Sequence, residues 1–179
     1  MEIYIISFVY AVLFGVTMKV ADLLDEHGLK SFRGDRILFG ILWGIFGALI
    51  ILRTNEVVAA VLVALTMACI VRNRLDYLNH QIAATIIFIT ALWYRDINFI
   101  VFMIFFGIFV VFGGIKDYFD DVVKKQGVLG KLSEMMLYYP IPTFIYCSIY
   151  GNWLLFWIFT LYTIAYNVTK GIAKKKGYR

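Results

Sequence analysis

The 179-residue sequence predicts an all-α fold: a polytopic integral membrane helical bundle of about seven transmembrane helices, forming a single domain over 1–179. Three observations carry this prediction. The chain is 62% apolar and only 16% charged, with mean hydropathy +0.81, whereas soluble proteins are roughly 45–50% apolar and about 25% charged. Its apolar residues gather into seven runs bounded by charges, which leaves no length for a soluble domain. Its Lys and Arg residues fall almost entirely on one side of those runs.

The first run, Ile3–Ala21, lacks a positive leader and passes into charged helix without an A-x-A-like site, so a retained span is expected rather than a cleaved signal. The second, Ile37–Leu52, carries Gly40, Gly44 and Gly47 at helical spacing. The third, Val57–Val71, carries Ala60, Ala64 and Ala68. Stripes of small residues permit close backbone approach, so these two spans are expected to pack together. Gln81–Tyr94 and Phe99–Ile115 follow, separated by the short Arg95–Asn98 turn. The sixth run, Met135–Tyr150, is the weakest, because Pro140 and Pro142 remove backbone donors; a re-entrant or broken segment is the alternative there. Trp153–Val168 comes last, after Gly151–Asn152. The basic tail Lys174–Lys176 reads as a stop signal that meets anionic lipid heads.

Orientation follows from the basic residues. Lys19, Lys30, Arg33, Arg36, Arg72, Arg74, Lys116, Lys124, Lys125, Lys131, Lys170, Lys174, Lys175, Lys176 and Arg179 lie on one side, and Arg53 and Arg95 on the other. Cytoplasmic loops are enriched in Lys and Arg, so the N-terminus is expected outside, the C-terminus in the cytoplasm, and the chain in the cell membrane. Cys69 and Cys147 both sit in apolar runs without CxxC or Cys/His spacing, which argues against a disulfide framework or a structural zinc.

Acids cluster on the same side. Val20-Ala21-Asp22-Leu23-Leu24-Asp25-Glu26 and Ile115-Lys116-Asp117-Tyr118-Phe119-Asp120-Asp121 share one pattern at an offset of 95, as a parallel internal repeat of 1–95 and 96–179 would produce. Asp22, Asp25, Glu26, Asp117, Asp120 and Asp121 are therefore candidate ligands for Mg²⁺ bridged to a phosphate or diphosphate, a hard cation that needs few protein carboxylates. Arg33, Arg36, Arg72 and Arg74 would hold the remaining phosphate charge. The competing reading is a solvated helix extension. Glu26–Lys30, Asp120–Lys124 and Asp121–Lys125 are i,i+4 pairs, each supporting a helix by about 0.2–0.5 kcal/mol. That account fits Asp22 and Asp117 less well, because both lie close to apolar runs where ionisable residues are expensive. In the cytoplasmic loop after the third run, Asp76, Asn79 and His80 fall at i, i+3 and i+4, so a helix would gather them as a candidate catalytic patch. A helix cap is the alternative for them, and His27 reads as an interfacial residue.

The two Asp-rich helix ends, Asp22–Glu26 and Ile115–Asp121, resemble the aspartate-rich motifs of UbiA-type intramembrane prenyltransferases. That family has more spans than the seven counted here and a wider Asp spacing. The resemblance implies Mg²⁺, an isoprenoid diphosphate and a transferase reaction. The sequence thus supports a membrane enzyme of lipid or isoprenoid (di)phosphates, with membrane lipids and a lipid-phosphate substrate as partners. Alternatives are a small transporter or channel subunit that uses Lys19, Asp22, Asp76 and Asp117, or a scaffold subunit of a membrane complex. Self-association is compatible with either. No DNA-binding motif and no Ser/His nucleophile arrangement is present, so nucleic acid is not an expected partner.

Overall fold

A computed structural model describes residues 2–26, 28–30, 32–94, 96–122 and 135–178, and among them are seven α-helices and no strand. They are α1 (Glu2–Glu26), α2 (Asp35–Arg53), α3 (Glu56–Val71), α4 (Leu78–Trp93), α5 (Phe99–Asp121), α6 (Pro140–Tyr150) and α7 (Trp153–Lys175). Each apolar run becomes a helix because an apolar medium leaves backbone donors and acceptors only each other as partners. Segments Tyr4–Asp25, Asp35–Arg53 and Phe99–Phe119 are long and apolar enough to cross a membrane. They point to a membrane-associated protein. The expected seven full spans reduce to these three by length and hydropathy. α3 and α4 have 16 residues each, about 24 Å at 1.5 Å per residue, and α6 has 11. Pro140 occupies the first position of α6, where its missing N–H costs no helical bond, so the prolines start a short helix and do not kink a long one.

The turns opposite the basic face are capped by their own sequence. Asn55 Oδ1 accepts the Val58 N–H at 3.1 Å and Asn98 Oδ1 accepts the Val101 N–H at 3.1 Å, opening α3 and α5. Gly151, at φ 78°, closes α6 by donating its N–H to Cys147 O at 2.8 Å. At the basic end, α1 continues past Ala21 and α5 past Ile115, so both acidic runs are helical at least as far as Glu26 and Asp121.

α3 is apolar on every face and takes the centre: Ala59, Ala60, Val61, Ala64 and Ala68 are wholly buried. α5 packs along it. α1 lies between α2 and α7, and α6 leans on α7. An aromatic core fills the middle, with Phe14, Phe109, Tyr139, Phe159 and Tyr162 in edge, tilted and stacked contacts 5.3–6.2 Å apart. Outside it, Ile5, Leu92, Trp93, Ile100, Phe112 and Ile149 are exposed among the described residues, forming an apolar perimeter.

The glycine stripe of α2 meets α4, a correction to the expected pairing with α3. A Cβ on Gly40 would sit 2.7 Å from Asn79 O, one on Gly44 3.0 Å from Ala83 Cα, and one on Gly47 2.8 Å from Ile87 Cδ1. The reason is size. α3 already presents alanines, whereas α4 presents Asn79, Ile86 and Ile87 and needs a groove without side chains. Gly40→Ala is therefore expected to destabilise the protein by about 1–3 kcal/mol through overpacking. Gly171→Ala, with nothing within 4 Å, should be neutral or slightly stabilising. Thermal unfolding of both variants in the same detergent checks the contrast.

Candidate functional site

The site is built from the end of α3. Asn73 takes a left-handed conformation at φ 55°, the Asn73 N–H donates to Ile70 O and the Arg74 N–H to Cys69 O, both at 2.9 Å. This paired closure ends the helix and places Arg72 and Arg74 one on each side of the reversal. Both reach one carboxylate. Arg72 Nη1 lies 3.0 Å from Asp117 Oδ2 and Arg74 Nη2 lies 3.1 Å from Asp117 Oδ1. Arg72 is also fixed by Nε donating to Ala68 O at 3.3 Å and Nη2 to Cys69 Sγ at 3.5 Å. Its guanidinium lies against Gly113 of α5, where a Cβ would collide with it. Burial opposes the charge on Arg72, but Tyr139, Cys69 and Asp117 outweigh that effect and hold its pKa above the ordinary arginine value.

A second carboxylate, Asp22 of α1, gathers three helices. Tyr166 of α7 donates its hydroxyl to Oδ2 at 2.6 Å, Lys19 Nζ lies 3.5 Å from the same oxygen, and His80 Nε2 of α4 lies 3.2 Å from Oδ1. Lys19 also sits over the Tyr166 ring, 5.1 Å from its centroid. The other imidazole nitrogen, Nδ1, lies 3.2 Å from Arg74 O. Both nitrogens thus face oxygens, one from α1 and one from the turn after α3. Trp43 and Tyr77 pack edge-on to that ring at 5.4 and 5.6 Å.

Beside Asp117 and two of the partners of Asp22 opens a cleft of about 440 Å³, lined among others by Trp43, Arg72, Arg74, Tyr77, His80, Lys116, Tyr138 and Tyr166, with Asp76 and Asp117 as its acids. Bases outnumber acids on its wall. Trp43 is 8% exposed, and its buried Nε1–H has no hydrogen-bond acceptor among the described residues.

The sequence-derived candidates are thus redistributed. Of the predicted trio, Asp76 and His80 line the basic cleft together, and Asn79 turns to α1. Asn79 donates Nδ2 to Ala21 O at 2.9 Å, tying the start of α4 to α1; His80 pairs with Asp22; Asp76 is exposed between two clefts. Arg33 and Arg36 line the second cleft with Asp25, and Arg36 Nε binds Asp25 Oδ1 at 3.0 Å. α1 and α5 share no extensive face, so the two acidic runs do not converge as neighbours. Asp22, Asp25 and Asp117 direct oxygens to bases, and no three His, Cys, Asp or Glu side chains are grouped to hold a metal among the described residues. The side chains of Glu26, Asp120 and Asp121, and all of His27, lie outside the described residues.

Sequence reasoning missed Trp43, Gly113 and Tyr166. For two of them the signal is periodicity: Val101, Phe105, Phe109 and Gly113 form a buried ladder on α5 whose next rung is Asp117, and Leu155, Phe159 and Tyr162 lead to Tyr166 on α7. Compared with protein-family models, curated proteins and solved structures, the chain matches none. Asp22→Asn is expected to destabilise by about 3–5 kcal/mol, because it leaves Lys19 as a buried charge without its counter-charge. Exposed Asp76→Asn should change stability by less than about 0.5 kcal/mol. Unfolding midpoints of the two variants check this.

Proposed function

We propose that this chain is a polytopic membrane protein whose Lys/Arg-rich, cytoplasmic face binds the phosphate group of a lipid or isoprenoid phosphate. The observation that carries the reading is the cleft beside Arg72, Arg74 and Lys116, set in an otherwise apolar bundle. Arginine forks match phosphate oxygens bidentately, and a lysine adds a point charge. The Trp43 indole and the Tyr77 hydroxyl add neutral donors around the same space. Exposed apolar side chains such as Ile115 and Tyr118 of α5, on the perimeter near Asp117, suit an attached hydrocarbon chain.

His80 serves as a positioning residue in this reading. Its nitrogens are turned to Asp22 and Arg74 O, so it steadies the turn that carries the arginines. Asp22, Asp25 and Asp117 each direct an oxygen to a base, so this reading rests recognition on the bases.

The test is thermal stabilisation of the purified protein by a prenyl phosphate, with the corresponding prenol as control. Ligand that binds only the folded state raises stability with concentration. A rise with the phosphate, none with the alcohol, and a clear reduction in Arg74→Gln and Lys116→Gln are expected without added Mg²⁺. Equal response to phosphate and alcohol would overturn the reading.

A further inference from the structure

We infer that Asp117 is a resident anion, occupying the Arg72–Arg74 pair in the unliganded protein and displaced from it when a phosphate or diphosphate group enters the cleft. The inference rests on the phosphate-binding reading above and adds the competition within it.

The geometry carries the argument. Arg72 and Arg74 each take one oxygen of the same carboxylate, at 3.0 and 3.1 Å. A carboxylate offers two oxygens and one negative charge to two guanidinium forks; a phosphate offers three oxygens and up to two charges, and so satisfies both forks more fully. Arg72 does not depend on Asp117 for its place, because Ala68 O, Cys69 Sγ and the floor at Gly113 hold it. Arg74 is anchored through its backbone, with its N–H on Cys69 O and its carbonyl oxygen facing His80 Nδ1, while its side chain is 40% exposed. Arg72 and the Arg74 backbone are therefore held by groups other than the Asp117 carboxylate, whose side chain is 16% exposed, so the carboxylate can leave without unseating them. Asp117 stands near the end of α5, which packs chiefly on α3, so its release loosens one helix end and leaves the α1–α2–α4–α7 packing intact. Asp22 differs: three helices converge on it, and no comparable freedom exists there.

The consequence separates this idea from a metal-ligand role, in which loss of the carboxylate abolishes binding. Here loss of the carboxylate improves it. Inorganic pyrophosphate binding is measured by calorimetry on the full chain in phosphatidylcholine nanodiscs, for wild type, Asp117→Asn and Arg74→Gln. Asp117→Asn is expected to bind about tenfold tighter than wild type, within the roughly 5–150-fold range of coupled equilibria, and Arg74→Gln more weakly. Repeating the titration with phosphatidic acid in the nanodisc distinguishes a lipid headgroup from free diphosphate, since a headgroup at the same arginines weakens pyrophosphate binding in wild type. Hydrogen exchange on the wild-type protein gives a readout that needs no variant: pyrophosphate should speed exchange at 115–121 and slow it around Arg72. Unchanged or weaker binding by folded Asp117→Asn, or slowed exchange at 115–121, overturns the inference while leaving phosphate binding in place. Absence of binding by wild type and Asp117→Asn alike overturns both. Binding by Asp117→Asn alone supports the competition in its strongest form.

Discussion

A carboxylate buried in an apolar bundle must be neutralised where it stands, and Asp22 imposes that constraint on this fold. Removing its counter-charges would cost several kcal/mol, so α1 supplies Lys19, α4 supplies His80 and α7 supplies Tyr166. The effect propagates. His80 can reach Asp22 only if α4 begins beside the end of α1, a placement that Asn79 secures on Ala21 O. Its other nitrogen then lies against the carbonyl of Arg74, which sets the reversal after α3 and, through it, both arginines. The arginines in turn bind Asp117 and hold the end of α5. One buried charge thus orders a path from the first helix to the fifth.

The two acidic runs look alike in sequence and act differently in space. Asp22 is shared by a lysine, a histidine and a tyrosine on three helices, while Asp117 is shared by two arginines from one turn. Local patterns specify which residue is charged and how deep it lies. They do not specify what meets it, because the partners of Asp22 and Asp117 stand up to 144 positions away.

Much of the fold is legible in the composition. Seven apolar runs become helices, and three have the length and hydropathy to cross a membrane. The depth of Asp22 and Asp117 marks them as costly residues, and both prove to be ion-paired hubs. Helix partners were less legible. The small residues of α2 announce a close approach but carry no address, and α4 rather than α3 fills the groove because its side chains are larger. Asp76, Asn79 and His80 share a helical spacing, yet α4 starts only at Leu78, so Asp76 stays off the helix and joins His80 on the cleft wall from the preceding loop. Gly113 and Tyr166 could have been read by continuing each buried ladder one rung past the last large apolar residue.

The shortness of α6 has a mechanical consequence for the surrounding lipid. Eleven residues reach about 16 Å, far short of a bilayer core of roughly 30 Å, while Ile141, Phe144, Ile145 and Ile149 on its surface still present hydrocarbon outward. In the membrane setting proposed for this chain, lipids beside α6 meet a hydrophobic strip too short for them, and the leaflet thins to match it. The helix opens just after Tyr138 and Tyr139, on the wall of the basic cleft. In that setting a depression in the leaflet would bring headgroups down to the level of the cleft and give the proposed amphiphilic ligand a sideways route in without leaving the lipid phase.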